Sequence, residues 1–176
     1  FFVVVIQILS GMFLTMYYVP DIENAWKSVY YLQTEAAHGQ IVRGMHHWGA
    51  SVVIVMLLLH TMRVFFQGAY KKPRELNWMV GVLLFFIMLG LGFTGYLLPW
   101  DNKAYFATQV GLDIAEQVPL IGTYLKTLLA GDPSIIGAAT LARFFAIHVF
   151  FLPAALFALM AVHFILIRKQ GISGPL

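Results

Sequence analysis

The chain has 176 residues, 60% of them hydrophobic and 11% charged, with a mean hydropathy of +0.80. So few polar side chains cannot cover a water-soluble surface, which excludes a soluble domain and predicts one integral membrane domain over residues 1–176. The net charge of +3 comes from basic residues at the ends of apolar segments, where membrane topology explains it and a nucleic-acid partner is not needed.

The first apolar segment, residues 1–18, is closed by Tyr17, Tyr18 and Pro20. It opens without Met, a basic n-region or a cleavage site, so it reads as a truncated N-terminal helix whose beginning lies upstream. Residues 19–40 form a long connection in which Ala25 to Ala37 mixes apolar and polar residues at helical spacing, as in a helix lying on a membrane surface. Three segments of spanning length follow, at about 41–67, 77–98 and 140–167, the second of them ending at Pro99 and Trp100. The connection 99–139 is too long for a turn, and Ile121 to Ala130 is a second candidate surface helix. It is a place for a substrate pocket or a docking partner. The expected fold is an all-α integral membrane bundle of four transmembrane helices with surface helices on the outer side.

Orientation follows from charge. The loop Arg63 to Glu75 and the tail hold Arg63, Lys71, Lys72, Arg74, Arg168 and Lys169 against the single acid Glu75. The other side carries five basic residues and seven acids, so the basic loop and the C-terminus are expected inside. The absence of cysteine excludes a disulfide, a thiolate metal site and a thioether-linked haem within these residues.

Four of the six histidines stand within the spans as two pairs, His46 with His60 and His148 with His163. The spacings of 14 and 15 residues return a side chain to nearly the same helix face about 21 to 23 Å further along, one imidazole near each side of the bilayer core. Buried imidazoles are costly in lipid and ordinarily have a partner there. Both helices run inward, so His46 is expected to meet His148 near the outer side and His60 to meet His163 near the inner side, each pair holding a haem iron. Zinc is the weaker alternative, since neither pair comes with Cys, Asp or Glu. His47, about 140° from His60, is expected to face a neighbour, the interface or a propionate, and His38 to be a solvated loop residue.

Gly81 and Gly95 repeat the 14-residue spacing on the third segment and suit a planar macrocycle between helices, though glycine also serves close helix packing. Gly11 is the matching outer position on the first helix, and its inner counterpart would fall before Phe1. Arg43, Arg63, Arg143 and Arg168 flank the four histidines and are candidates for haem propionates. Positive-inside topology alone also accounts for Arg63 and Arg168, but not for Arg43 and Arg143. Pro153 is expected to kink the fourth segment.

The run HHWGAS with a second histidine 14 residues beyond the first, then GYLLPWD, RFFAIHVFFLP and the ending IRKQGISGPL, resembles cytochrome b of the quinol-oxidising cytochrome bc complexes, most of all the short, split cytochrome b6 type. KKPRELNW and the outer loops are most similar to the menaquinol:cytochrome c reductases of Gram-positive bacteria.

The resemblance covers essentially the whole chain. It implies the cytochrome b subunit of a quinol:cytochrome c (or plastocyanin-type acceptor) oxidoreductase, inactive alone, with two noncovalent b haems, a quinol/quinone substrate and a proton-translocating Q cycle. It further implies a dimeric complex with a Rieske-type iron–sulfur protein, a cytochrome c or f type subunit and a separate subunit completing the quinone site. Pro99, Trp100 and Asp101 would form one wall of that site. In split-type members a third, covalently attached haem hangs from a cysteine upstream of the position corresponding to Phe1. The expected location is a bacterial plasma membrane, or a thylakoid-type membrane. The resemblance also implies an outer haem of lower potential than the inner one, since moving one charge against 100 mV costs about 2.3 kcal/mol. Competing readings are a di-haem anchor of a dehydrogenase or reductase, which would lack the long outer connection, and a His-relay proton or metal transporter, which needs no haem.

Overall fold

A computed structural model describes residues 1–132 and 134–173, and it is helical throughout its ordered elements. The terminal Gly174, Pro175 and Leu176, part of the ending that carried the family resemblance, lie outside the described residues. In chain order the elements are α1 (Phe2–Thr15), α2 (Ala25–Thr34), α3 (Gly39–Phe66), α4 (Glu75–Leu97), α5 (Asn102–Glu116), α6 (Gly122–Ala130), α7 (Ala138–Ala146), a π-helical turn (Ile147–Phe151) and α8 (Leu152–Gln170).

Three of these are long and apolar enough to cross a membrane: α3, α4, and the continuous helix Ala138–Gln170 formed by α7, the π turn and α8. α1 is a shorter apolar helix of 14 residues that packs along α3, while α4 packs along α8. The interior of the bundle is a small apolar cluster, Val53 of α3, Met88 of α4 and Leu156 of α8, joined by Val3 and Val4 of α1. Most of the apolar side chains face outward. Only 6% of the most apolar window of α3, with mean hydropathy 1.9, is buried within the chain. A helix that is apolar all round and unburied is a lipid- or subunit-facing helix, because its backbone groups are satisfied internally and its side chains need no water.

The end of the bundle that the charge distribution predicts to be the outer one is a separate packing layer. α5 begins where Asp101 accepts a hydrogen bond at Oδ1 from the Ala104 backbone N–H (2.8 Å), an N-cap that satisfies one of the free amides of the first turn. Ala104, Thr108 and Leu112 then recur at four-residue intervals and are buried. Leu112 joins Leu97 at the outer end of α4, Ala130 of α6 and Phe144 of α7 in a second apolar cluster. Tyr18, beyond the end of α1, donates its phenol to the Leu98 carbonyl (2.6 Å) and stacks on Phe145, tying that end of the chain to the end of α4.

Pro153 stands two residues past the π turn, which includes His148. A π turn accommodates one residue more than an α turn, so the 15-residue interval between His148 and His163 takes up its extra residue there and presents both imidazoles much as the 14-residue interval does on α3.

The outer layer is cross-linked by charge. Lys126 of α6 donates through Nζ to Glu116 (2.6 Å) and Asp113 (3.1 Å), which sit three residues apart on one face of α5. Hydrogen bonding to Glu116 and then to Asp113 raises the Lys126 pKa above its ordinary value. The stabilisation is therefore fully present below the ordinary lysine range and is lost as pH rises through the raised value. Lys126→Met is expected to lower the thermal midpoint of the detergent-solubilised protein at neutral pH, with the gap to wild type closing as pH climbs through the lysine range.

Candidate functional site

The four intramembrane histidines occupy two levels of the bundle. At the outer level His46 of α3 and His148 of the π turn oppose one another, their ring centroids 6.3 Å apart and their planes at 82°. At the inner level His60 of α3 and His163 of α8 line one cavity of about 250 Å³ with Arg63, Arg74, Asn77 and Gly81.

Each of three imidazoles lies beside a glycine of the neighbouring helix. A Cβ on Gly11 would stand 3.2 Å from His46 Cε1, one on Gly95 2.6 Å from His148 Cε1, and one on Gly81 3.5 Å from His163 Cε1. Gly95 is the tightest, and nothing larger than hydrogen fits there without displacing the ring. These are the three glycines singled out by spacing, and each lies beside the histidine of its own level.

Two residues that sequence reasoning passed over complete the outer level. Ser10 and Thr94, each only 5% exposed, hold their hydroxyl oxygens 3.0 Å from Nδ1 of His46 and His148 respectively. Ser10 donates its own proton to the Ile6 carbonyl (2.6 Å) and Thr94 to the Gly90 carbonyl (2.8 Å). With those protons committed, each hydroxyl can accept from an imidazole whose Nδ1 carries the hydrogen, the tautomer that leaves Nε2 its lone pair. The legible signal was a hydroxyl residue directly before each outer-level glycine, Ser10-Gly11 and Thr94-Gly95. At the inner level Val80 precedes Gly81, and His163 Nδ1 is buried without a hydrogen-bond partner.

The arginines divide by helical phase. Arg63, three residues after His60, lines the inner cavity with it. Arg43, three before His46, donates through Nη1 to Gln33 Oε1 (2.6 Å) and so fastens α2 to α3. Arg143 and Arg168 are both five residues from their histidines, about 140° around an α-helix. Arg143 donates through Nη1 to the Thr127 and Leu128 carbonyls at the C-terminal end of α6, where a cation offsets the helix dipole. Arg168 is not among the residues lining the inner cavity, whereas Arg74 is. Arg74 stands two turns before Gly81, and it also bonds the Gly171 and Ile172 carbonyls through Nε and Nη2 (3.2 and 3.3 Å).

Asp101 is engaged as the α5 cap, and Trp100 beside it has a left-handed backbone (φ 53°) and packs edge-on against Tyr105. His47 is exposed and packs edge-on against Trp48. His38 is exposed at the N-cap position of α3 with φ 60°, a left-handed conformation that histidine tolerates better than most residues.

The outer pair fits a metal with two axial imidazoles. Metal–nitrogen bonds of about 2.0 Å on either side of one atom put the ring centroids roughly 6 Å apart, against 6.3 Å here. Among the described residues no group of three or more His, Cys, Asp or Glu could hold a metal ion. A cofactor supplying its own equatorial ligands suits this donor set better than a bare ion.

Residues 1–171 match the family model described as cytochrome b/b6/petB. The menaquinol:cytochrome c reductase cytochrome b subunit of Bacillus subtilis (strain 168) is 83% identical over 176 residues, which are 100% of this chain and 79% of that one. The subunit of the same name from Geobacillus thermodenitrificans is 81% identical with the same coverage. A cytochrome b6 of Prochlorococcus marinus (strain MIT 9515) is 44% identical over 171 residues, covering 97% of this chain and 78% of its own. A solved structure titled hyperthermophilic respiratory Complex III superposes with a TM-score of 0.87 at 34% identity over 98% of this chain. The match spans 46% of that structure's chain, so this chain corresponds to less than half of its length.

The unequal glycine clearances give a direct test. Gly95→Ala is expected to destabilise the protein by about 1–3 kcal/mol through overpacking against His148. Gly81→Ala, at ordinary contact distance from His163, is expected to be tolerated. Thermal unfolding of the two purified variants followed by circular dichroism distinguishes them.

Proposed function

We propose that this chain, which belongs to the cytochrome b/b6 family, is the di-haem electron-transfer subunit of a quinol:cytochrome c reductase complex that runs a proton-translocating Q cycle. The observation that carries the reading is the opposed, glycine-backed pair His46 and His148, spaced for a bis-imidazole cofactor and repeated one level inward by His60 and His163. When bound, two b haems supply one-electron carriers at two depths of the membrane.

The protein's part is positional. The histidines would hold two haems about 21 to 23 Å apart along their helices, and Gly11, Gly81 and Gly95 keep side chains out of the space beside them. Arg43 and Arg63 are the best-phased partners for anionic propionates, with Arg74 joining Arg63 at the inner cavity. Arg143 keeps further N–H groups beyond its bonds to α6 and remains a candidate at the outer side, while Arg168 is a weaker one at the inner side. α1 is assigned as the fourth membrane helix, packed along α3, so that residues 1–176 act as one domain.

In this reading quinol is oxidised on the outer side. One electron leaves to a Rieske-type iron–sulfur protein, and the other crosses through this subunit to a quinone near the inner side, with protons released outside and taken up inside. The turn Pro99, Trp100, Asp101 forms one wall of the outer site, where the capping role of Asp101 makes it a scaffold for α5. The opposite wall comes from a separate subunit, and a cytochrome c type subunit receives electrons from the iron–sulfur protein. The complex is a dimer. These 176 residues contain no cysteine, so a third, covalently held haem would have its thioether attachment outside them.

A pyridine haemochrome assay on the purified protein is expected to give two b haems per chain. His60→Leu is expected to lose the inner haem and keep the outer, read as loss of one component from the reduced-minus-oxidised spectrum. Retention of both haems in that variant would sink the pairing.

A further inference from the structure

We infer that Gln7 of α1 and Gly49 of α3 form a keyed contact that fixes where α1 lies on α3, and that Gln7 is thereby a positioning residue for His46 at the outer haem. This rests on the di-haem reading above and deepens it.

Gln7 is the one primary amide in the 14 residues of α1, an otherwise mostly apolar helix packed along α3. An amide among apolar helices is costly unless it finds a partner, and bonds of this kind join helices where burial from water supplies no drive. Gln7 donates through Nε2 to the Met45 carbonyl of α3 (3.4 Å). In the α-helical ladder that carbonyl already takes the N–H of Gly49, four residues on. It keeps a second lone pair, and the missing side chain of Gly49 leaves that lone pair approachable. A Cβ on Gly49 would collide with Gln7 Nε2 and stand 3.3 Å from its Cδ. Alanine at position 49 would therefore evict the amide from its seat.

The contact sits on the face that serves the histidine. Gln7, Ser10 and Gly11 share one side of α1 at spacings of three and four, and Gly49 stands three residues past His46 on α3. One turn further along the same seam, Ser10 Oγ is 3.0 Å from His46 Nδ1, and a Cβ on Gly11 would be 3.2 Å from His46 Cε1. Those distances leave little room for α1 to slide or turn. The apolar contacts of Val3 and Val4 do not set them, because apolar attraction has no direction. A hydrogen bond into a seat one residue wide does. On α4 the glycines between the two levels, Gly90 and Gly92, seat Leu152 and Ile54 instead, so among the described residues this polar key belongs to the α1–α3 pair.

The test is electron paramagnetic resonance of the oxidised, purified complex, alongside a haemochrome count. The low-spin ferric signal depends on the angle between the two axial imidazole planes, which stand at 82° at the outer level. Gln7→Ala, Gly49→Ala and Gln7→Met, which keeps the length but not the donor, are each expected to shift the outer signal and leave the inner one unchanged. Gln7→Ala combined with Gly49→Ala is expected to match Gln7→Ala alone, since no amide is left to evict. A wild-type outer signal in Gln7→Met would overturn the inference, as would a double variant whose shift is the sum of the two single ones. Should Gly49→Ala fail to assemble, recovery of the complex by adding Gln7→Ala supports the key, and failure to recover overturns it. A wild-type count other than two haems would instead remove the di-haem reading, while the same non-additivity in thermal midpoints would still decide whether the helices are keyed.

Discussion

An imidazole inside lipid calls for a partner, and the bundle is organised around four of them. The ring needs room, which the backbone gives only where a neighbouring helix carries glycine, and it needs an acceptor, which an apolar helix gives only where a hydroxyl or a free carbonyl is at hand. At the outer level both requirements are met by adjacent residues, Ser10 with Gly11 and Thr94 with Gly95. The helix pairings follow from this: α1 must lie along α3 to serve His46, and α4 along α8 to serve His148 and His163. The apolar contacts among Val53, Met88 and Leu156 hold those approaches in place between the two levels.

The outer layer has a different physical basis. α5, α6 and α7 bury Leu97, Leu112, Ala130 and Phe144 against one another and carry the Lys126 ion pairs on their exposed side. The layer also leaves Phe106, Val110, Ile114 and Tyr124 exposed, and it is set on the end of helices whose flanks are apolar and open. Arg143 joins the two regimes, since it belongs to the long membrane helix yet binds the carbonyls that end α6.

Legibility in the sequence tracked how far each feature depends on one helix. Three of the four expected spans were readable because hydropathy needs no partner, and the histidine levels because a 14- or 15-residue interval fixes phase and depth within a single helix. α5 was missed as an element. Its start signal, Asp101, was read as part of a substrate wall, and its buried face is the small and partly polar set Ala104, Thr108 and Leu112, which carries little periodic hydrophobicity. Ser10 and Thr94 looked like isolated hydroxyls in apolar helices until the partner helix was placed beside them. Arg143 and Arg168 were near their histidines in sequence, but five residues turn a side chain well away on an α-helix, whereas Arg74 lay far along the chain and close in space.

The π turn at Ile147–Phe151 separates two quantities that a straight helix binds together, its length and the direction its side chains point. One added residue in α3 would swing everything past it by about 100° and carry His60 off its level. In the long helix from α7 to α8 the surplus residue is confined to a single loosened turn, and His163 keeps its heading. That helix therefore has a freedom α3 lacks: it can grow by one residue, meeting a thicker membrane or a differently placed outer domain, without re-aiming the residues its neighbours were built to receive.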